Sequence, residues 1–326
     1  MQLAAYGASD TGRLRAGNED RFYAGTTLFA VADGLGGHAA GEVASALAIE
    51  AVAGLDGGSF SAPEQTRRVL LEAFATANQS VAGAAASEPA WRGMGTTLTA
   101  VLVEGDRAHL AHVGDSRAYL LSGAGPVRQL TNDHTVVAEL VRRGRLRPEL
   151  AAAHPDRGVL IQAIGLQRVL LVEVPPPLPL AVGDQVLLCT DGLTDVVDDG
   201  QIAELLDRHA QSEAACWALI EAANAAGGPD NITVVLIRAR LSASGPEEAT
   251  ISTSGTCATI PTRSWRSIVG MPSSMSLVVS IKATFVVPPG FFGWVEARTM
   301  NRRIQLGTTH RMQFRSGQIP SPGPRN

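Results

Sequence analysis

The sequence of 326 residues predicts an α+β fold in which largely antiparallel β-sheets are covered by helices. Short apolar or β-branched runs recur through residues 1–241 and are typical of strands. Some of these runs are joined by connectors too short for a helical crossover, so the strands that they join must be antiparallel. Alanine-rich segments with helical periodicity lie between the runs. Together these observations disfavour a doubly wound parallel sheet.

Seven runs are predicted to be strands. The two-residue connector Gly105-Asp106 between the second and third runs predicts a β-hairpin. The runs are TLFAVAD (27–33), TTLTAVLVE (96–104), AHLAHVG (108–114), RAYLLS (117–122), RVLLVEV (168–174), QVLLCTD (185–191) and ITVVLIRARL (232–241).

Three alanine-rich segments are predicted to be helices. The first begins near Gly41. The second opens with Ser61-x-x-Glu64, the pattern of a capping box, and has Pro63 in its first turn. Its apolar residues recur at helical spacing on one face, at Leu70, Ala73, Phe74, Ala77 and Val81. The third (212–228) ends in a glycine pair that suits a C-terminal cap.

Charge and composition divide the chain near residue 241. Residues 242–326 contain nine Lys or Arg and three Glu, a net charge of +6, and the whole chain has −4, so residues 1–241 carry −10. An acidic body argues against nucleic acid as a partner and is compatible with cation binding. We predict a domain at 1–241, and a linker followed by a poorly ordered or marginal β tail at 242–326.

Cysteine content and apolar runs indicate the compartment of the protein and whether it spans a membrane. Three widely spaced cysteines suit a reducing compartment better than a disulfide framework. The N-terminal stretch MQLAAYGASD lacks a basic start and a long apolar run, and no uncharged apolar run of about 18 residues occurs. We therefore expect a cytoplasmic protein with no membrane span.

The loop VADGLGGHAAGE (31–42) allows two interpretations. Gly34, Gly36 and Ala39 fit the G-x-G-x-x-A fingerprint of dinucleotide binding, after a predicted strand and before a predicted helix. That fingerprint requires an acidic residue at the end of a second strand about 20 residues later. Glu50 and Asp56 instead lie in or just after a helical run. The alternative is a metal site built on Asp33.

Four aspartates lie at the edges of apolar runs, each beside a small or turn-forming residue: Asp33, Asp115, Asp191 and Asp230. One such aspartate is ordinarily a turn or cap residue. Strand ends on one edge of a sheet converge, and four carboxylates there would repel each other unless cations neutralised them. All-oxygen ligands suit Mg²⁺ or Mn²⁺ better than Zn²⁺.

The chain contains eight motifs that resemble those of the metal-dependent serine/threonine protein phosphatases, the PPM or type 2C family, in its bacterial form. The motifs occur in the same order as in the family. They cover about residues 6–240. They are SDTGRLRAGNED (9–20), VADGLGGHAAGE (31–42), GMGTTL (93–98), HVGDSRAYLL (112–121), LTNDHT (130–135), HPDRGVLIQAIG (154–165), LLCTDGLTD (187–195) and GGPDNITVVL (227–236). The resemblance implies a four-layer αββα fold, with a metal site at one end of the β-sandwich.

The resemblance assigns metal ligands position by position. Asp33 matches the carboxylate that bridges two metals, and the backbone carbonyl of Gly34 lies beside it. Asp191 and Asp230 match the remaining ligands of the first metal. The implied cofactors are two Mn²⁺ or Mg²⁺ ions.

A third, weaker ion is also implied. Asp115 matches its ligand, and Asp195, four residues after Asp191, is positioned to share it.

The resemblance also assigns catalytic residues. Glu19 and Asp20 match the pair that orients metal-bound water, and Arg15 matches the arginine that grips the substrate phosphate. A hydroxide shared by two cations would attack phosphorus in line. His38, just after the metal loop, is the candidate acid that protonates the leaving alkoxide.

The implied activity is hydrolysis of phosphoserine and phosphothreonine in proteins, and a cognate serine/threonine kinase is an expected partner. We expect a monomer. Residues 135–158 match a flap beside the site. Its Arg142, Arg143, Arg145 and Arg147 either meet an acidic or phosphorylated substrate or form a solvated helix face.

Two other functions remain as alternatives. A catalytically weak or dead phosphatase fold could serve as a regulatory or binding module, although such proteins usually lack metal carboxylates that this chain retains. Cys257 and Arg263 fit the Cys-x5-Arg pattern of a cysteine-dependent phosphatase. However, Pro261 removes a backbone N–H that would cradle phosphate, and no glycine separates the two residues.

Overall fold

The computed structural model describes residues 1–36, 39–60, 62–123 and 125–241, and the backbone of 277–279 and 302–304. The chain divides into two units, Met1–Ala243 and Ser244–Asn326. His38, Ser61 and the 257–263 segment lie outside the described residues.

Two five-stranded antiparallel sheets form the centre of the first unit. The strands of this unit are β1 (Gln2–Asp10), β2 (Arg21–Ala24), β3 (Leu28–Ala32), β4 (Gly34–Leu35), β5 (Gly95–Thr96), β6 (Leu98–Glu104), β7 (Arg107–Val113), β8 (Arg117–Leu121), β9 (Arg128–Gln129), β10 (Leu178–Pro179), β11 (Gln185–Cys189) and β12 (Ile232–Arg240). The first sheet has the order β1-β12-β11-β8-β9, and the second has the order β10-β7-β6-β3-β2. Every neighbouring pair in both sheets is antiparallel, as predicted.

Helices cover the outer face of each sheet. The α-helices of this unit are α1 (Ala39–Ala53), α2 (Pro63–Ser87), α3 (Val136–Arg142) in the predicted flap, α4 (Asp191–Thr194), α5 (Asp199–Arg208) and α6 (Ser212–Ala225). Helices α1 and α2 pack on the second sheet, and α4 to α6 pack on the first. The five residues predicted on the apolar face of α2 are all buried.

The alternation of side chains along each strand creates the layers. In β3, Leu28, Ala30 and Ala32 pack with the core under α1 and α2, whereas Phe29 and Val31 pack into the core between the sheets. A third core lies between the first sheet and its helices. Three cores separate four layers, so the αββα architecture expected from the sequence is confirmed.

Glycines form one predicted hairpin turn and one predicted helix end. Glu104 pairs with Arg107 across the Gly105-Asp106 connector, and Gly105 has a φ of 59°. At the end of α6, the N–H of Gly228 donates to the carbonyl of Ala223 at 3.0 Å, with φ of 117° at Gly227. This is the Schellman arrangement that the glycine pair favours.

One local prediction is wrong. Residues 168–174 do not form a strand: only Glu173 makes an isolated bridge, to His112, while Val169 and Leu171 are exposed. Helix α2 begins after Ala62, whose side chain makes no capping hydrogen bond, and the capping box predicted at Ser61 lies outside the described residues. A reciprocal capping box forms between Asp198 and Gln201 at the start of α5.

In the second unit, two strands are described, β13 (Leu277–Val279) and β14 (Arg302–Ile304), and they pair antiparallel. In the described part of the chain, no helix combines the length and apolar character needed to cross a membrane.

Asp56 holds the turn that leads into β3. Its Oδ1 accepts hydrogen bonds from the backbone N–H groups of Thr26 (2.9 Å), Thr27 (2.8 Å) and Leu28 (3.0 Å). Partial burial opposes ionisation, yet the bonds from Thr27 and Leu28 lower the pKa of Asp56 to about 2. Because Asp56 follows a helix and caps a turn, the acidic residue that the dinucleotide interpretation requires is missing.

Replacing Asp56 by alanine leaves three backbone donors without this acceptor. We expect Asp56→Ala to lower the free energy of unfolding by about 1–3 kcal/mol. Urea unfolding at neutral pH measures the change, with Asp207→Ala on the exposed face of α5 as the control. Equal effects of the two substitutions would contradict this role of Asp56.

Candidate metal centre

Strand direction brings the predicted aspartates to one end of the sandwich. Strands β3 and β7 are both antiparallel to β6, so their C-terminal ends, which precede Asp33 and Asp115, lie at the same edge. In the other sheet, β11 ends just before Asp191, and β12, its antiparallel neighbour, begins just after Asp230. The topology therefore places two pairs of carboxylates at the strand ends.

Asp33 is held rigidly by its neighbours. Its backbone N–H donates to the Thr97 hydroxyl at 2.9 Å, and its carbonyl accepts from Thr97 N at 2.9 Å and from Thr96 Oγ1 at 2.8 Å. The Thr97 hydroxyl in turn lies 2.7 Å from the hydroxyl of Ser116, the residue after Asp115. The Asp33 and Asp115 loops are thus joined through buried hydroxyl groups.

The carboxyl groups of Asp33 and Asp191 are close enough to influence each other's ionisation. Burial, followed by the charges of Asp20, Asp191 and Asp115, raises the pKa of Asp33 well above its ordinary value. Burial, with Asp195 and Asp230, raises the pKa of Asp191 to about 6. These carboxylates lie close enough to oppose each other's ionisation.

Asp20 is the most buried acid of the group, at 2% exposure. Its Oδ2 accepts a hydrogen bond from the Thr190 hydroxyl at 2.9 Å, but its buried Oδ1 has no partner among the described residues. The Oδ1 of Asp191 is also buried and has no partner in that part of the chain. Burial and the charges of Asp191 and Asp230 raise the pKa of Asp20 to about 7.

Two orphaned carboxylate oxygens beside further carboxylates fit divalent cations. An unpaired buried acceptor is costly, and a hard cation is the partner that offsets both its desolvation and its charge. The residues that can hold cations here are Asp33, Asp191 and Asp230, with Asp115 and Asp195 nearby.

Arg15 reaches this cluster from an exposed loop. Its Nη2 lies 2.6 Å from Oδ2 of Asp230, and its side chain is 54% exposed. The hydrogen bond to Asp230 raises the pKa of Arg15, so the guanidinium stays charged. The structure thus places Arg15 at the carboxylate cluster, where its charge partly offsets theirs.

Asn231 anchors the loop that carries Arg15. Its Nδ2 donates to the carbonyls of Thr11 and Gly17, each at 2.9 Å, and its Oδ1 accepts from the N–H of Glu19 at 2.9 Å. We did not predict a role for Asn231. Its position directly after Asp230, at the start of a strand, is the signal that could have suggested one.

Glu19 and Gly34 meet at the start of α1. A Cβ atom on Gly41 would lie 2.2 Å from Oε2 of Glu19, and one on Gly34 would lie 2.2 Å from the carbonyl oxygen of Gly41. Gly34 also pairs with Thr96 in the β4–β5 bridge. Glycine at 34 and 41 therefore permits the close approach of the metal loop, α1 and the Glu19 carboxylate.

Asp115 and Asp195 occupy the side of the cluster next to the predicted flap. Burial, then the charges of Asp191 and Asp133, raises the pKa of Asp115 well above its ordinary value. Asp195 is exposed at the end of α4, and its N–H donates to the carbonyl of Asp191 at 2.8 Å. Both carboxylates are thus close enough to Asp191 for their charges to interact with it.

The arginines of residues 135–158 are exposed. Arg142 and Arg143 both pair with Glu139 on the outer face of α3, with Arg142 Nη2 2.7 Å from Glu139 Oε2. Arg145 and Arg147 are also exposed. These contacts favour the interpretation as a solvated helix face.

Comparison with known proteins connects this geometry with one family. The chain matches the family described as "Protein phosphatase 2C" over residues 16–224. Serine/threonine protein phosphatase PstP of Mycobacterium tuberculosis is 47% identical over 235 residues, which are 70% of this chain and 43% of that protein. This chain therefore spans less than half the length of the PstP proteins that it matches.

In two further comparisons, the match covers nearly the whole of the other chain. Serine/threonine phosphatase stp of Listeria innocua is 36% identical over 244 residues, 73% of this chain and 96% of that protein. A solved structure of the PstP catalytic domain in complex with two manganese ions has a TM-score of 0.65 and 42% identity, over 73% of this chain and 98% of that chain. The similarity therefore concerns the first unit.

The raised pKa values predict how pH affects the metal-free protein. The pKa of Asp20 is about 7 and that of Asp191 about 6 in the folded chain, against about 3.9 for an aspartate in an unfolded chain. The folded state therefore binds more protons between about pH 4 and pH 7, so the free energy of unfolding falls as pH rises through that range.

Calorimetry with and without Mg²⁺ measures this effect. We expect the Tm of the metal-free protein to fall between about pH 5 and about pH 7.5, and saturating Mg²⁺ to remove most of that fall. Asp20→Asn, which cannot ionise, is expected to make the metal-free slope shallower. A Tm that rises steadily over this range in the absence of metal would contradict the electrostatics described above.

Proposed function

The chain belongs to the protein phosphatase 2C family, and we propose that its first unit hydrolyses phosphoserine and phosphothreonine in proteins with the help of divalent cations. The observation that carries this proposal is the convergence of Asp33, Asp191 and Asp20 with two buried, unpartnered carboxylate oxygens beside the exposed Arg15. The family and its named serine/threonine phosphatases support the same reaction.

Asp33, Asp191 and Asp230 would hold two core cations, with the Gly34 carbonyl beside them, and Asp115 and Asp195 would hold a weaker third. Mn²⁺ is favoured by the manganese-bound PstP domain, and Mg²⁺ suits the same oxygen ligands. The bound cations would supply an activated water nucleophile and offset the negative charge of the phosphoryl group.

Asp20 and Glu19 are proposed to orient water at this site. Thr190 fixes one oxygen of Asp20, and the buried Oδ1 is able to accept a hydrogen bond from water. Glu19 is held against Gly41 and by the bond from its N–H to Asn231.

Arg15 is proposed to bind the substrate phosphate. Its guanidinium is exposed and presents a planar fork that matches two phosphoryl oxygens. The contact with Asp230 places the guanidinium beside a proposed cation ligand. His38 remains the proposed proton donor because of its place in the sequence after the metal loop.

The alternative of a catalytically dead module lacks support, since the named relatives are phosphatases and the chain retains every proposed metal carboxylate. The proposal includes phosphorylated proteins as substrates, a cognate kinase among them, a cytoplasmic location and a monomeric state.

Removing the central carboxylates tests the proposed activity. We expect Asp33→Asn or Asp191→Asn to reduce Mn²⁺-dependent hydrolysis of p-nitrophenyl phosphate and of a phosphothreonine peptide by about 100-fold or more. Asp207→Asn is the control. If purified protein shows no hydrolysis with Mn²⁺ or Mg²⁺, or if Asp33→Asn retains full activity, the proposed function is wrong.

The role of Arg15 makes a separate prediction. Arg15→Lys keeps the charge but loses the two-pronged geometry, so we expect kcat/KM to fall by about 10–100-fold, mostly through KM. Inhibition by inorganic phosphate should weaken in parallel. Unchanged KM and unchanged phosphate inhibition in this variant would show that Arg15 does not bind phosphate.

A further inference from the structure

His134 lies between the Asp115 loop and the returning end of the predicted flap. Its backbone N–H donates to the carbonyl of Gly114 at 2.7 Å, and its Nδ1 accepts from the N–H of Gly114 at 3.2 Å. Its own carbonyl accepts from the N–H of Ile161 at 2.8 Å. One residue thus binds both backbone groups of Gly114, which directly precedes Asp115.

The other side of the His134 ring faces a fixed acid. Its Nε2 lies 3.8 Å from Oε2 of Glu173. Glu173 is held by Asn132, whose N–H donates to Oε2 at 3.1 Å and whose Nδ2 donates to Oε1 at 2.6 Å. Glu173 also bridges to His112 through its backbone, so the acid is tied to strand β7.

Buried groups support this arrangement from behind. His112 is fully buried, with Nε2 3.2 Å from the carbonyl of Asn132 and Nδ1 2.8 Å from the hydroxyl of Thr99. That hydroxyl also lies 3.1 Å from the carbonyl of Ser116. Burial lowers the pKa of His112, so the ring is neutral, donates from Nε2 to the Asn132 carbonyl and accepts at Nδ1 from the Thr99 hydroxyl. These bonds link Glu173, through Asn132 and His112, to Thr99 on β6.

The side chains of His112, His134 and Glu173 have one ligand atom each within 4.8 Å of one another, which could suggest a second metal site. The hydrogen bonds argue against it. Since Gly114 N–H uses the lone pair of His134 Nδ1, the proton of the neutral ring is on Nε2, toward Glu173. A cation at Nε2 would require both ring nitrogens to lack protons. The group is therefore better explained as a hydrogen-bonded support.

We propose that His134 is a positioning residue that holds the Asp115 loop and links it to the base of the flap. The two ends of the flap pair directly after His134: Thr135 bridges to Leu160, and Val136 N–H donates to the carbonyl of Val159 at 2.8 Å. A rearrangement of the flap base therefore alters the two hydrogen bonds between His134 and Gly114. The inference rests on the proposed function, because the proposed function assigns the weaker third cation to Asp115.

Two substitutions of similar shape test the role of the hydrogen-bond acceptor at Nδ1 of His134. Asparagine and leucine branch identically at Cγ, but only asparagine places an oxygen where Nδ1 of histidine lies. We expect His134→Leu to weaken binding of the weakest Mn²⁺ ion by about tenfold, as the loss of one buried hydrogen bond predicts. His134→Asn is expected to stay within about threefold of the wild type. Both should bind the tight ions as the wild type does.

Calorimetric titration with Mn²⁺ measures these affinities, and Asp115→Asn identifies which step belongs to Asp115. Equal weakening in the asparagine and leucine variants, or the absence of a third binding step in a wild type that binds two ions, would overturn the inference. A wild type that binds no Mn²⁺ and has no phosphatase activity would instead refute the proposed function.

A measurement on the unmodified chain covers the case in which His134→Leu does not fold. Nitrogen-15 NMR of the histidine rings distinguishes a protonated from an unprotonated nitrogen. We expect His134 to be neutral, with an unprotonated Nδ1 and a protonated Nε2. The opposite tautomer would mean that Nδ1 does not accept from Gly114, and the inference would be wrong.

Discussion

Repulsion among carboxylates buried at one end of the β-sandwich is the constraint on which the rest of this structure depends. Asp20, Asp33 and Asp191 lie where burial and neighbouring charge both oppose ionisation. Such an arrangement is stable only if the surrounding fold is rigid and if protons or cations neutralise part of the charge. The three apolar cores provide that rigidity, and the orphaned oxygens show where cations would be accommodated.

Short polar side chains transmit the rigidity of the sheets to the carboxylates. Thr97 fixes the backbone of Asp33, Thr190 fixes one oxygen of Asp20, and Asn231 fixes the loop that carries Arg15. None of these residues is charged, so each can orient an acid without neutralising it. This leaves the net negative charge available to cations, while the loops cannot relax away from each other.

The convergence of the proposed metal carboxylates could be predicted from sequence because each lies at a strand end, and strand direction brings such ends together. Arg15 and Glu19 were predicted because they lie in a motif that resembles a known family. The roles of Asn231 and His134 depend on contacts with residues far away in the chain, such as Thr11, which local pattern does not reveal. The segment 168–174 has a β-like composition, but it pairs with a sheet only at Glu173, and Val169 is 75% exposed.

An anomalous difference map from crystals grown with Mn²⁺ tests the central claim most directly. The account predicts manganese peaks within about 2.0–2.6 Å of carboxylate oxygens of Asp33 and Asp191, with Arg15 still at the edge of the site. Manganese bound only at His112, His134 and Glu173, or an aspartate cluster that stays free of metal at saturating Mn²⁺, would contradict it.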